Sequence, residues 1–298
     1  MNYITTRAFR LGVVFTLLCF LGLPSAQAAR HHRHHSAASG DPTRMALTAS
    51  TALVIDQTTQ QVVYSKNPDP VHPIASITKL MTAVVVLESG QDLQEQLTVT
   101  QEDVDTLRFS HSHLRVGAKA SRLDFLRMAL IASENRAASA LGRSYPGGIQ
   151  AFVARMNEEA AKLGMTSTHF EDSSGLNSDN VSTARDLAIL VSAASAYPLI
   201  REITTTTSVE VPVGFRGRRI TFRNTNPLVA KPGWEIGLSK TGFINESGQC
   251  LVMQATINSH PMVIVLLDAH GHHARFIDAT RVRKWLEAHN HQVTVGQL

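Results

Sequence analysis

Apolar and polar positions recur with two different periods along the chain, and the places where the period changes divide it. Thr51 to Asp56 and Gln61 to Tyr64 are β-rich runs separated by a short polar turn, which predicts a hairpin. Lys66 to Pro73 is a Pro-rich loop. From about Glu88 to Tyr197 the pattern is mostly helical. Leu123, Leu126, Met128, Leu130 and Ile131 give helical spacing over Ser121 to Ala132. Pro146-Gly147-Gly148 opens a helix over Ile149 to Leu163, and Gly164 ends it. Phe170 to Asn180 is a polar loop with Gly175 at a turn, and Ser182-Thr183-Ala184-Arg185-Asp186 resembles a cap before Leu187 to Ala196. From about Ile203 the period falls to two. Thr204 to Val211 and Arg218 to Arg223 suggest a hairpin, and Ile236 to Ile244, Gln249 to Ile257 and Met262 to Asp268 read as three strands. A last amphipathic helix runs from about Arg275 to Ala288.

The early hairpin is expected to join the late strands in one antiparallel sheet, with the helical block inserted and laid against a sheet face. This is an α/β architecture of the α+β kind. One folded domain is expected over residues 49–290, with a helical insertion at about 88–200. Between hairpin and insertion lies Pro73-Ile74-Ala75-Ser76-Ile77-Thr78-Lys79, then the apolar run Leu80 to Leu87. Pro73 stops any earlier helix, and serine favours a helix start, so a helix is expected to begin at Ala75-Ser76. Leu80, Met81, Val84, Val85 and Leu87 make it apolar nearly all round, which implies burial.

The 298 residues suffice for a full core, and 43% apolar with 17% charged residues is ordinary for a globular protein. The first segment differs. Arg7 and Arg10 precede the apolar run Leu11 to Leu23, and Ala26-Gln27-Ala28 is a small-x-small site. This reads as a signal peptide, residues 1–28, cleaved after Ala28, since the run is shorter than the roughly 20 residues that span a bilayer. The expected location is the periplasm, with no integral membrane segment in the mature chain. Residues 29–48, with Arg30-His31-His32-Arg33-His34-His35, read as a solvated His-rich linker rather than a metal site, and 291–298 as a tail. Loss of the leader lowers the formal charge from +4 by two arginines, too mild a balance to suggest nucleic acid. Cys250 alone remains, in an apolar run, and reads as a buried side chain. No cofactor is implied. His111, His113 and the histidines at 270, 272 and 273 lack acidic or cysteine partners at ligand spacing, so no metal is expected.

On a helix, residues three apart share a face, which puts the Ser76 hydroxyl beside the Lys79 amine. A desolvated lysine with a depressed pKa is a base fit to activate a serine nucleophile. A Ser-x-x-Lys pair alone occurs about once by chance in a chain this long. Its companions give it weight. In Ser133-Glu134-Asn135 a hydroxyl and a carboxamide at a helix end can relay a proton and hold an amide. In Lys240-Thr241-Gly242 a cation and a hydroxyl can grip a carboxylate, and glycine lets a substrate backbone approach.

The three motifs in this order resemble the active-site signature of penicillin-binding proteins and class A β-lactamases. Over about Ala49 to Ala288 the chain resembles the low-molecular-mass penicillin-binding proteins that are D-alanyl-D-alanine carboxypeptidases or endopeptidases. It is most similar to the endopeptidase branch, the penicillin-binding protein 7 type. Ala75 to Ala83, Ser133 to Ala138, Val181 to Leu187, Phe222 to Asn226 and Lys240 to Phe243 carry that likeness. The resemblance implies a β-lactamase/DD-peptidase-like fold with a five-stranded sheet. It implies Ser76 as nucleophile, Lys79 as its base and Ser133 as a proton relay. Asn135, Lys240, Thr241, Gly242 and Phe243 would hold substrate, with the backbone N–H groups of Ser76 and Phe243 as an oxyanion hole. Arg275 is a candidate for the substrate carboxylate. The implied partners are peptidoglycan stem peptides, cut at D-alanyl-meso-diaminopimelyl cross-links, with β-lactams as inhibitors. A carboxypeptidase trimming pentapeptides is the alternative, ahead of a non-catalytic wall-binding or penicillin-sensing protein. Glu171 stands five residues before Leu176, not the three a class A deacylating glutamate needs, so a β-lactamase is disfavoured.

Overall fold

The computed structural model describes residues 45–289. The expected leader, the linker up to residue 44 and the tail 291–298 lie outside the described residues. Five strands, β1 (Ala49–Asp56), β2 (Val62–Lys66), β3 (Glu235–Ile244), β4 (Gly248–Ile257) and β5 (His260–Ala269), make one antiparallel sheet in the order β2-β1-β5-β4-β3. The first strand therefore pairs with the last, Ala49 opposite Ala269 and Asp56 opposite Met262. β3 is left at an edge with β4 as its one neighbour.

Both faces of the sheet are covered, which is why β4 and β5 are apolar almost without interruption. Side chains alternate across a strand. Val252 of β4 and Val263, Val265 and Leu267 of β5 point into the larger core. Leu251 and Met253, with Met262, Ile264 and Leu266, point into the smaller one. The larger core is closed by six helices: α1 (Lys79–Glu88), α2 (Arg122–Ile131), α3 (Asn135–Arg143), α4 (Gly148–Lys162), α5 (Ala184–Ser195) and α6 (Pro198–Thr205). The smaller one is closed by α7 (Ala274–Ala288) through Ala279, Val282 and Leu286. Met45 and Leu47, placed in the linker by sequence, pack in this second core. Each fully buried side chain of this size contributes roughly 1.5–3 kcal/mol, so the three layers are held from both sides of the sheet.

Several boundaries differ from the sequence expectation. Ala75–Thr78 is a 3₁₀ turn, and α1 proper starts at Lys79; Ser76 makes no capping bond. Ala132-Ser133-Glu134 is a three-residue break, after which Asn135 opens α3 rather than ending a helix. Thr204 and Thr205, expected in a strand, finish α6, and the hairpin that follows pairs Ser208–Val211 with Ile220–Arg223. Pro198 at the first turn of α6 suits helix initiation and overrides the β preference of the threonines. Inside the helical block, Gln96–Thr98 pairs with Lys119–Ser121 in a small hairpin that the sequence pattern did not announce. Among the described residues no single helix is long and apolar enough to cross a membrane.

Candidate active site

The 3₁₀ turn sets the first contact. At three residues per turn, positions i and i+3 eclipse, and the Lys79 amine lies 2.8 Å from the Ser76 hydroxyl. Ala75, a residue with a Cβ, is bent to φ 47° to start this turn. The turn is pinched from two sides. Gly175, at φ +82°, packs so close that a Cβ there would lie 1.9 Å from the Ala75 carbonyl oxygen, and a Cβ on Gly242 of β3 would lie 2.7 Å from the Ile74 carbonyl oxygen. Only glycine permits either approach.

Lys79 Nζ has two further neighbours, and both are acceptors: the Asn135 amide oxygen at 2.8 Å and the Ser174 carbonyl at 2.5 Å. Asn135 is oriented by its own Nδ2, which donates to Ser110 Oγ at 3.0 Å. A neutral amine here spends its two N–H groups on those acceptors and turns its lone pair to the Ser76 hydroxyl. Burial favours that state. It pulls the Lys79 amine down from its ordinary value to about 7, against the opposing pull of Asp172 and Glu134. The loop carrying Ser174 is folded around Asp172, whose carboxylate accepts from the backbone N–H groups of Ser174, Gly175 and Asn177.

The second buried lysine lies on β3. Lys240 Nζ donates to Ser133 Oγ at 2.9 Å and to the Thr241 carbonyl at 3.0 Å. Burial pushes its pKa well below the ordinary range, helped by the nearby charges of Lys79 and Arg275. Ser133 holds φ 59°, so its hydroxyl is presented from a backbone conformation that L residues adopt at a cost. Thr241 Oγ1 is 2.6 Å from Thr225 Oγ1. The Phe243 side chain is exposed at the cleft end of β3. Arg275 reaches the strand from behind: its guanidinium donates to the Gly242 carbonyl at 2.7 Å, and burial brings its pKa to about 10. It braces the strand that carries the motif.

The structure thus links Ser76, Lys79 and Asn135 in one hydrogen-bonded group and Ser133 with Lys240 in another, with Gly242 packed on the turn that bears Ser76. Glu134, between the two motif residues, is buried and accepts from Ser112 Oγ at 2.5 Å. Glu171 points to the surface and pairs with His169. Among the described residues no group of three or more His, Cys, Asp or Glu side chains is placed to hold a metal ion. Sequence reasoning missed Ser110, Asp172, the Ser174 carbonyl and Arg108. Arg108 donates to the Leu176 carbonyl at 2.5 Å and pairs with Glu246 at 2.9 Å, joining the helical side to the β3–β4 turn.

A family model described as D-alanyl-D-alanine carboxypeptidase matches residues 36–271. The D-alanyl-D-alanine endopeptidase of Pseudomonas aeruginosa is 50% identical over 251 residues, 84% of this chain and 80% of that protein. The Escherichia coli protein of the same name is 42% identical over 279 residues, 94% and 89% of the two chains. Among solved structures, the Streptomyces K15 DD-transpeptidase superposes with a TM-score of 0.75 at 29% identity, covering 81% of this chain and 98% of its own. Penicillin-binding protein D2 of Listeria monocytogenes, in its cefotaxime-bound form, gives 0.71 at 31% identity, covering 81% and 98%.

Proposed function

Because the chain belongs to the D-alanyl-D-alanine carboxypeptidase family of serine peptidases, we propose that it is a periplasmic DD-endopeptidase. It cuts D-alanyl-diaminopimelyl cross-links of peptidoglycan through an acyl-enzyme on Ser76. The observation that carries this reading is the buried Lys79 amine, 2.8 Å from the Ser76 hydroxyl, with its other two contacts made to acceptors. Lys79 takes the hydroxyl proton as Ser76 Oγ bonds to the D-alanyl carbonyl carbon. The oxyanion that forms is met by the backbone N–H groups of Ser76 and Phe243. The C–N bond then breaks, and the departing nitrogen takes the proton of the Ser133 hydroxyl, which Lys240 holds in place; the proton that Lys79 took from Ser76 replaces it, so Lys79 is again neutral. Water then attacks the ester while one of its protons passes to Lys79, which hands that proton to Ser76 Oγ as the C–O bond breaks, so the carboxyl product leaves and Ser76 and Lys79 are both restored. The peptide lies along the free edge of β3 as an added strand, with its carboxylate at Lys240 and Thr241.

The choice of endopeptidase over carboxypeptidase is supported by relatives named endopeptidase at 50% and 42% identity, against a Streptomyces relative named carboxypeptidase at 30%. Acylation of Ser76 by β-lactams is supported by the likeness to the cefotaxime-bound protein. Export is supported by the leader pattern in residues 1–28. Purified protein and its Ser76→Ala variant, given cross-linked muropeptide dimers and fluorescent penicillin, test the reading. The wild type should release monomers and take the label, and the variant should do neither. A variant that still cleaves dimers sinks it.

A further inference from the structure

A cavity of about 320 Å³ opens beside Ser133. Ser133 and Asn135 form the wall it shares with the candidate active site, and His111, His113, Phe222 and Arg223 enclose it elsewhere. Phe222, buried in the core behind the strand, backs the cavity wall, and the His113 ring stands edge-on to it at 6.1 Å. His111 stands against His113 at 5.2 Å. The Arg223 guanidinium makes no hydrogen bond or ion pair with any described residue. Glu134 also lines the cavity, but its carboxylate already accepts from Ser112 Oγ and the His113 backbone N–H. The chemistry left open to a ligand is one free cation and two imidazoles. That suits an arm ending in a carboxylate.

Its position says which part of the substrate arrives there. In the mechanism above, the departing nitrogen is protonated at Ser133, so whatever that nitrogen carries lies beyond Ser133, away from Ser76. Arg223 is two residues before Thr225, whose hydroxyl touches that of Thr241. The wall of the cavity is therefore continuous with the strand that grips the adjoining carboxylate. A terminal D-alanine brings only a methyl group and that one carboxylate. The amine-side residue of a cross-link brings a long arm and the rest of a second stem peptide.

Resting on the endopeptidase reading, we infer that this cavity is the subsite for the amine side of the cross-link. Arg223, with His111 and His113, holds the carboxylate at the far end of the leaving residue's arm. The subsite selects cross-linked dimers over free pentapeptides.

The test compares wild type, Arg223→Gln and Arg223→Lys on two dimers. One has an amine-side stem ending in a free carboxylate, and in the other that group is a carboxamide. Each rate is divided by the same protein's rate of acylation by fluorescent penicillin, which corrects for folding. Arg223→Gln should lower kcat/KM for the free-acid dimer about tenfold on this ratio, Arg223→Lys should restore most of it, and the carboxamide dimer should cost the wild type the same factor. On the carboxamide dimer the two proteins should be equal. A wild type that cleaves dimers with no change of ratio in Arg223→Gln, or with equal losses on both dimers, overturns the subsite alone. A wild type that trims pentapeptides and leaves every dimer intact overturns the endopeptidase reading and the subsite with it.

Discussion

A lysine that is neutral near physiological pH is the residue on which the proposed chemistry turns. Burial brings the Lys79 amine to about 7. Below that value it is protonated and has no lone pair for the Ser76 hydroxyl. The rate of acylation by benzylpenicillin should therefore rise about tenfold per pH unit up to that point and level off above it. Measuring the second-order rate constant from pH 5 to 9 checks the midpoint, and Lys79→Ala should lower the plateau about a thousandfold. The same shift bears on stability. Between about 7 and the ordinary value of 10.5 the unfolded lysine binds a proton that the folded one does not. Stability gains from this residue as pH rises through that window, and the gain is complete above it. The Ser76–Lys79 contact was legible from spacing, because a three-residue offset brings two side chains together in either an α or a 3₁₀ turn. The Ser174 carbonyl was not, since a main-chain oxygen carries no mark in the sequence of what the fold will bring to it. Ser110 and Asp172 escaped notice for a related reason: their partners are far along the chain, or are backbone N–H groups of their own loop.

At the level of elements, the nucleophile's turn is fixed by backbone packing from both sides, with the loop at Gly175 on one and β3 at Gly242 on the other. Gly175→Ala meets both a left-handed φ and a backbone carbonyl where its methyl group must go. It should cost about 2 kcal/mol or more and lower penicillin acylation beyond what the lost stability explains. Thermal melting and acylation of the same variant separate the two effects. The strands of the sheet and the closing helix were legible because period-two and period-three-to-four patterns are long there. The hairpin of Gln96–Thr98 with Lys119–Ser121 was hidden, since three residues are too few to establish a period and its partners are held apart by a long loop. The end of α6 was misplaced because four consecutive threonines, Thr204 to Thr207, favour a strand while tertiary packing keeps the first two in a helix. The resemblance offered Arg275 for the substrate carboxylate, and the structure places its guanidinium on the carbonyls of Gly242 and Cys250, beside the strand that carries Lys240.

Across the whole molecule, the groups that make up the candidate site come from positions 76, 79, 110, 133, 135, 174 and 240. The sheet they rest on places its earliest strand against its latest. Such long-range pairing makes for slow assembly. A chain ending at Ile257 keeps every candidate site residue except Arg275 but lacks β5. It should take no fluorescent penicillin and should show the circular dichroism of an unfolded chain. Label uptake by that fragment would mean the centre assembles without its middle strand. The central place of β5 also has a temporal meaning. A polypeptide delivered across a membrane N-terminus first presents its serine early and the strand that seats it almost last. Under the export proposed above, an enzyme able to sever the mesh around its own cell would be inert throughout its passage and become dangerous only once delivery is nearly finished.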